Sequence, residues 1–226
     1  MKNRWVVDMD LMGRASTTDR PSFAGDEGVL GALQVIRRRP DRDLVAAEQA
    51  AAAFLAALGV DLDAAGLAET PGRMARAYAE LLTPREFRLT TFDNDEGYDE
   101  LVVARSIPIR SVCEHHLLPF IGVAHVGYLP GERILGLSKL ARVAELFAHG
   151  PQVQERLTKQ IADWLTAHLR PKGVGVVIEA QHLCMTLRGV QAVGATTVTS
   201  TLLGTLRDDS RSRAEFFTLT GVGARA

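Results

Sequence analysis

Cysteine is scarce in this sequence. Only Cys113 and Cys184 occur among 226 residues. A single disulfide would add little stability to a chain that is long enough to build a substantial core of its own. Charge of one sign is also not in excess, since 26 basic and 27 acidic residues give a net charge of −1. That balance gives no reason to expect bulk attraction to nucleic acid or to a membrane surface.

Long apolar runs are missing as well. No stretch approaches the roughly 20 residues that a membrane-spanning helix needs. The N-terminal segment meets Asp8 and Asp10 too early to form the apolar centre of a signal peptide. We therefore expect a cytoplasmic protein, in which both thiols stay reduced and free to bind a metal. With 46% hydrophobic and 23% charged residues, the composition is that of a globular protein.

Hydrophobic periodicity and chain-breaking residues predict three regions. Residues 1–40 are irregular in pattern and are expected to form a mobile arm. Residues 41–95 form a helical region, with one helix over 44–58 and a second that starts at Thr70. The rest, 96–226, is expected to hold strands at 101–111, 120–129, 173–180 and 196–203 and helices at 138–149 and 151–169. This β-β-α-α-β-β order predicts an α+β domain of antiparallel hairpins with both helices on one face.

Each cysteine lies within three positions of a histidine. Cys113 and His116 are three apart in a turn that follows a predicted strand, a spacing that can bring both donors to one centre. Cys184 follows about seventy residues later, at the end of another predicted strand. Thiolate and imidazole suit Zn²⁺, and three protein ligands with an open fourth position are typical of catalytic zinc. We predict a zinc site here, with a disulfide between the cysteines as the alternative.

Two further histidines adjoin these ligands. His115 precedes His116 and is expected to point away from the metal, and His182 lies two residues before Cys184. Imidazole exchanges protons near neutral pH, so the two side chains form a candidate acid–base pair. Packed imidazoles without a chemical role are the alternative interpretation.

Basic residues lie where a bound anion would use them. Ser138 fits the cap position of a predicted helix, and helix N-termini attract anions. Lys139 and Arg142 are three apart near that helix start, and Arg188 lies four residues beyond Cys184. These cations predict an anionic substrate. A capped helix with solvated charges would have the same sequence.

Glu155 lies opposite the apolar stripe of the predicted long helix. Simple exposure near a helix N-terminus accounts for such a carboxylate. A functional role requires something to cover that face, such as a bound base or a neighbouring subunit. A carboxylate can accept two hydrogen bonds from adjacent N–H groups. Guanine offers such groups at its pairing edge, and adenine does not.

Several motifs in a fixed order carry a resemblance to a known family over residues 69–219. They are TPGR at 70–73, SVCEHHLLPF at 111–120, GLSK at 136–139, QVQERLT at 152–158, HLCM at 182–185 with RG at 188–189, and RAEF at 213–216. With these motifs the chain resembles GTP cyclohydrolase I. Any one motif alone would be a weak signal, whereas the ordered set is specific.

The resemblance implies a T-fold preceded by an N-terminal helical region. It also implies a toroidal homo-oligomer, usually a decamer, with active sites at subunit junctions. The implied reaction opens the imidazole ring of GTP hydrolytically, releases C8 as formate and gives 7,8-dihydroneopterin triphosphate, the first step of folate and pterin biosynthesis. GTP and further copies of the chain are the implied partners, whereas nucleic acid and membranes are not expected.

The resemblance also implies a role for each matching position. Zinc would be held by Cys113, His116 and Cys184, and would activate the water that attacks C8. His182 would protonate the imidazole nitrogen of the base, and His115 with Ser138 would assist opening of the ribose. The implied substrate contacts are Glu155 with Gln154 at the guanine edge, and Lys139, Arg142 and Arg188, with Arg73 of a neighbouring subunit, at the triphosphate.

Two alternatives remain. A binding or structural T-fold module, in which a metal only staples the turn, would explain the cysteines but not the additional histidines and cations. A T-fold enzyme for a different pterin or deazapurine is the second alternative, and such relatives can use a lone cysteine as a covalent nucleophile. Cys113 beside His115 and His116 favours metal ligation instead, because a thiolate bound to zinc is a weaker nucleophile.

Overall fold

The computed structural model describes residues 6–9, 33–37 and 41–222. The chain divides into two compact units, Arg39–Thr83 and the remainder, which are described separately. None of the helices in the described ranges has the length and apolar character needed to cross a lipid bilayer.

The smaller unit consists of two helices, as predicted. Helix α1 spans Leu44–Ala57 and α2 spans Thr70–Leu81. Asp43 caps α1 by accepting a hydrogen bond from the backbone N–H of Ala46 at 2.9 Å. Gly59, with a φ of 81°, follows the end of α1 in the left-handed conformation that glycine adopts without strain.

The larger unit combines strands with helices. Its described strands are β1 Val6–Met9, β2 Leu33–Arg37, β3 Phe87–Leu89, β4 Thr91–Asp93, β5 Val102–Cys113, β6 Pro119–Leu129, β7 Arg133–Leu135, β8 Pro151–Gln152, β9 Gly173–His182 and β10 Thr197–Gly204. Its described helices are α3 Ser138–Ala148, α4 Gln154–Leu169, α5 Leu183–Thr186, α6 Thr205–Asp208 and α7 Ser210–Thr220. The four strands and two helices predicted for this part of the chain are thereby confirmed.

A five-stranded sheet with the order β10-β9-β6-β5-β8 forms the centre of this unit. Its long strands pair antiparallel, and only the short β8 runs parallel to β5. The register places Phe120 of β6 opposite His182 of β9. The start of β6, the end of β9 and the end of β5 therefore meet at one end of the sheet.

Helices α3 and α4 pack on one face of the sheet. Alternate residues of β9, such as Val176 and Ile178, share one buried cluster with Leu140 of α3 and Leu157 of α4. Burying each such side chain contributes about 1.5–3 kcal/mol relative to exposure. The prediction that both helices cover the same face is confirmed.

The opposite face of the sheet is also covered, which was not predicted. Val177 of β9 packs there against Leu206 of α6 and Phe216 of α7. Gly175 admits the ring closely, since a Cβ at that position would lie 2.8 Å from Phe216 Cζ. Both faces of β9 are thus buried.

The predicted start of the long helix at residue 151 is wrong by three residues. Pro151 and Gln152 form β8, which pairs with Val112 and Cys113 at the end of β5. The side-chain amide of Gln152 donates to the carbonyl oxygen of Phe147 at 2.9 Å. These contacts hold the segment extended, so α4 begins only at Gln154.

The segments on either side of the helical unit contain short strands. Residues 84–95, which the sequence analysis grouped with the helices, form β3 and β4, and these pair with β2 and β7 of the larger unit. Most of the predicted mobile arm lies outside the described residues. Its two described segments, β1 and β2, pair with each other in parallel.

Candidate active site

A tight turn joins β5 to β6 and carries the first two predicted ligands. The N–H of Cys113 donates to the carbonyl oxygen of Leu118 at 2.9 Å, and the N–H of Leu117 donates to the carbonyl oxygen of Cys113 at 2.8 Å. Leu117 has a φ of 54°, in the left-handed region that a turn of this kind requires. The turn presents His115 and His116 next to the end of β5.

Helix α5 brings the third predicted ligand to this turn. It follows β9 directly, and Cys184 is its second residue. One donor atom from each of Cys113, His116 and Cys184 lies within 4.8 Å of the other two. Zinc forms bonds of about 2.3 Å to sulfur and about 2.0 Å to nitrogen, so small side-chain movements would let one ion reach all three.

The chemistry of the two thiols fits a divalent cation. Both cysteines are free, and the structure does not contain the alternative disulfide. Burial raises the pKa of the Cys184 thiol, and the neighbouring Cys113 raises it further, while the charge of Arg188 partly opposes these effects. A cation placed between the sulfurs is the group that would favour both thiolates.

His115 occupies a more open position than the three clustered side chains. Its Nδ1 lies 3.9 Å from Cys113 Sγ, the same distance as His116 Nδ1. Its ring is 62% exposed, however, and Nε2 lies 3.9 Å from a carboxylate oxygen of Glu114. Only His116 joins both cysteines in the clustered set of donors among the described residues.

His182 lies beside the cluster with a constrained ring. It stacks on Phe120, with ring centroids 4.5 Å apart and an interplanar angle of 13°. Its Nε2 lies 2.7 Å from Gln154 Oε1. Burial lowers the pKa of His182, and the negative charge of Glu155 partly opposes that shift. The structure thus brings His182 and Glu155 close enough to interact.

Gln154 and Glu155, the two residues expected at the guanine edge, differ in accessibility. Glu155 is exposed on the first turn of α4. Gln154 is only 1% exposed, and its carboxamide bonds to protein groups at both ends. The structure therefore leaves Glu155 open to a ligand and encloses Gln154.

The predicted anion-binding residues lie at the start of α3 and after α5. Ser138 is the first residue of α3 rather than its cap, which is Leu137, so the predicted capping role is wrong. Lys139 is half-buried, whereas Arg142 is exposed and donates to Glu145 on its own helix at 3.1 Å. Arg188 is exposed and acts electrostatically on Cys184.

Arg73, the remaining predicted substrate contact, belongs to the helical unit. It lies on α2, where its guanidinium pairs with Glu69 at 3.5 Å. The pair is largely exposed, and exposed pairs of this kind contribute little to stability.

An ion pair that the sequence analysis did not identify anchors the turn to α4. Arg156 Nη2 donates to Glu114 Oε2 at 2.5 Å, and its Nε donates to Gln152 Oε1 at 2.9 Å. The backbone N–H of Glu114 donates to the carbonyl oxygen of Gln152 at 3.0 Å. The spacing of four between Gln152 and Arg156 was visible in the sequence, but their link to Glu114 depends on β8.

Comparisons with known proteins identify the family of this chain. The sequence model of the family described as GTP cyclohydrolase I matches residues 47–221. The chain belongs to the GTP cyclohydrolase I family. Its α+β architecture is accordingly a T-fold preceded by a helical region.

Several similar proteins carry the name GTP cyclohydrolase 1. The Mycobacteroides abscessus protein is 54% identical over 184 residues, which cover 78% of this chain and 89% of that protein. The Aquifex aeolicus protein is 51% identical over 172 residues, covering 76% and 94%. The Corynebacterium glutamicum protein is 53% identical over 182 residues, covering 76% and 92%.

The similarity of this chain to a solved structure is weaker than its similarity to these sequences. The apo form of the archaeosine synthase QueF-Like aligns with a TM-score of 0.36 and 18% identity, over 46% of this chain and 93% of that chain. A likeness of this size carries no argument about function, so the assignment to the GTP cyclohydrolase I family rests on sequence.

In this member of the GTP cyclohydrolase I family, Glu114→Ala is expected to weaken zinc binding about tenfold. Supporting residues around metal ligands typically change metal affinity by about 10–100-fold, and Glu114 holds the turn that carries Cys113 and His116. Competition with a chromophoric chelator measures the affinity. Asp163→Ala is the control, because it removes a carboxylate that pairs with Lys159 within α4. Equal zinc affinity in both variants would contradict the anchoring role.

Proposed function

We propose that the protein is a zinc-dependent GTP cyclohydrolase I. It opens the imidazole ring of GTP by hydrolysis, releases C8 as formate and yields 7,8-dihydroneopterin triphosphate, which places it at the start of folate and pterin biosynthesis. The observation that carries the proposal is the convergence of Cys113, His116 and Cys184, together with His182, which precedes the short helix that carries Cys184. Family membership and the names of the relatives supply the substrate.

Zinc is the proposed cofactor, held by Cys113, His116 and Cys184. Two thiolates and one imidazole form a donor set that suits zinc and leaves one coordination position open. When bound, zinc supplies hydroxide near neutral pH for attack on an electrophilic carbon. Cys184 is half-buried and His116 is exposed, so an ion would be able to reach these two side chains from solvent.

Proton transfer is assigned to side chains outside the donor set. His182 is proposed to protonate the ring nitrogen of the base, since its ring is held beside the cluster by Phe120 and Gln154. His115, with its exposed ring, is proposed to assist ribose opening together with Ser138 at the start of α3. The two histidines thus serve different parts of one substrate.

Substrate binding is proposed to use one carboxylate and several cations. Glu155 would accept hydrogen bonds from the guanine edge, since its carboxylate is exposed and close to His182. The net charge of −1 gives no bulk attraction for a triphosphate, so local cations must supply it. The proposed set is Lys139, Arg142 and Arg188, with Arg73 contributed by a neighbouring subunit.

The enzyme is further proposed to be a cytoplasmic homo-oligomer, with a toroidal decamer as the expected form. A reducing compartment would keep both free thiols available. Large apolar side chains are exposed near the site, where Leu187 is 67%, Val190 71% and Val193 84% exposed. Large apolar side chains exposed this close together along the chain favour an interface. Sedimentation of the purified protein tests the assembly, and a monomer would contradict it.

GTP turnover tests the proposed reaction directly. Zinc-loaded protein incubated with GTP should give the ultraviolet absorbance of a dihydropterin and one formate for each GTP consumed. Absence of formate would overturn the assignment. Bound zinc without any turnover of GTP would instead favour the alternative of a T-fold module with a structural metal.

A further inference from the structure

Two arginines from different segments of the chain meet at the carboxylate of Glu145. Arg85 Nε lies 3.5 Å from Glu145 Oε1, and Arg142 Nη1 donates to Glu145 Oε2 at 3.1 Å. Each carboxylate oxygen therefore pairs with one guanidinium. Arg142 and Glu145 both belong to α3, whereas Arg85 lies just before β3. The pairing thus brings a cation from another segment next to α3.

The backbone around Arg85 is held against the core. Pro84 before it is buried, and Phe87 after it is buried and lies 6.2 Å from Trp164 between ring centroids. The side chain of Arg85 is nevertheless 74% exposed. An ion pair that is exposed to this extent contributes little to stability. The arrangement therefore gains little stability from the pairing, and the side chain is open to a ligand.

Both guanidiniums keep an edge for a second anion. Arg142 meets Glu145 through Nη1 and keeps its Nε–Nη2 edge, and Arg85 meets Glu145 through Nε and keeps its Nη1–Nη2 edge. Among the residues that the structure describes, neither guanidinium has another recorded partner. Such an edge donates two parallel hydrogen bonds to a phosphate group. Two edges held side by side suit neighbouring phosphates of one ligand.

Glu145 offsets the repulsion between the two cations. Its side chain is only 24% exposed, so its negative charge is fixed where the two guanidiniums meet. Without this carboxylate, two like charges on exposed side chains would move apart in solvent. The carboxylate therefore holds Arg85 and Arg142 together before a ligand binds.

We propose that Arg85 is a further cation of the triphosphate subsite, held beside Arg142 by Glu145 as a positioning residue. This role deepens the proposed function and rests on it, because Arg142 is there assigned to the triphosphate. Arg85 lies between the motifs that carry the family resemblance and belongs to none of them.

The order of side chains along α3 indicates which phosphates Arg85 contacts. Ser138 begins the helix and is the residue proposed to serve the ribose. Arg142 lies about 6 Å farther along the helix axis, at a rise of about 1.5 Å per residue. The pair of guanidiniums is therefore assigned to the phosphates beyond the first one. A ligand with a single phosphate should not depend on Arg85.

Calorimetric binding of 8-oxo-GTP and 8-oxo-GMP to the zinc-loaded protein tests this dependence. C8 of both nucleotides already carries an oxo group, so neither can release formate and neither is consumed. Arg85→Gln should weaken binding of 8-oxo-GTP about 5–10-fold, the lower end for a charge-assisted hydrogen bond because the side chain is exposed. Binding of 8-oxo-GMP should stay within about twofold of the wild type.

Arg88→Gln is the matched control for the loss of one positive charge. Arg88 is exposed on the neighbouring strand β3. Its substitution should leave the affinity for both nucleotides within about twofold of the wild type. Equal affinity for 8-oxo-GTP in Arg85→Gln and Arg88→Gln would overturn the proposal.

Glu145→Gln tests the positioning role. Glutamine keeps the shape of the side chain but loses the charge that pairs with both guanidiniums. Binding of 8-oxo-GTP should weaken about 2–5-fold, and adding Arg85→Gln to this variant should then cost less than it does in the wild type. Unchanged or tighter binding in Glu145→Gln would overturn the role of Glu145.

Steady-state kinetics separates this subsite from the proposed reaction. Arg85→Gln should raise the KM for GTP about 5–10-fold and leave kcat unchanged, as expected for a contact made equally in the ground and transition states. A lower kcat with an unchanged KM would overturn the proposal. Wild-type protein that releases no formate from GTP would overturn the proposed function, whereas a selective loss of 8-oxo-GTP affinity in Arg85→Gln would still support the subsite.

Discussion

Cys184→Ser is expected to abolish both zinc binding and turnover of GTP. Cys184 Sγ is one of the three clustered donor atoms, and a serine hydroxyl is a poor replacement for a thiolate at zinc. Losing a Lewis acid worth several kcal/mol corresponds to a fall in kcat of about 10³-fold or more. Zinc per chain is measured by atomic absorption, and turnover by formate release.

A substitution at the adjacent position controls for damage to the short helix. Met185→Leu changes another side chain of α5, of similar volume, that is not among the clustered donors. It should retain one zinc per chain and turnover close to that of the wild type. Retention of a full zinc equivalent by Cys184→Ser would contradict the assignment of Cys184 as a ligand.

His182→Ala is expected to keep the metal and lose turnover. His182 lies outside the clustered donor set and directly precedes α5, which carries Cys184. Removing a general acid typically lowers turnover by about 10²–10⁴-fold. Zinc content should stay at one per chain, because Cys113, His116 and Cys184 remain in place. The two variants therefore separate metal binding from proton transfer.

His168→Ala is the matched control for the loss of a stacked histidine. His168 stacks on Trp164, with ring centroids 4.3 Å apart and an interplanar angle of 19°, as His182 does on Phe120. It should retain both zinc and turnover. An empty metal site in His182→Ala, with a full site in His168→Ala, would mean that His182 is a ligand and that the assignment of donors is wrong.

The main strands and helices could be predicted because their signals are local. Alternating and β-branched residues marked β5 and β6, and a helical stripe marked α4. The start of α4 could not be predicted, because Pro151 and Gln152 are held extended by pairing with Val112 and Cys113, nearly forty residues earlier. Tertiary pairing overrode a local preference at this point.

The sequence contained a signal that both faces of the sheet are covered, but the prediction did not use it. The predicted strand at 173–180 is nearly continuous in apolar residues, a pattern typical of strands buried on both faces. The prediction assigned helices to one face only. In the structure, Phe216 of α7 packs against Val177 on the other face.

The metal-donor residues of the candidate site could be predicted from the sequence. The residues that hold them in place were less predictable. Cys113, His116 and Cys184 were identifiable because thiols and imidazoles are rare and have few other uses at such spacing. The ion pair of Glu114 with Arg156 joins positions 42 residues apart. The enclosure of Gln154 likewise depends on β9 and β10, which no local pattern around α4 reveals.

Zinc titration of metal-free protein tests the central claim most directly. Chelator-treated protein is supplied with increasing zinc, and formate release from GTP is followed at each ratio. Turnover should be negligible without metal, rise in proportion to zinc and level off at one equivalent per chain. Full turnover in metal-free protein, or no turnover at one bound zinc per chain, would contradict the account.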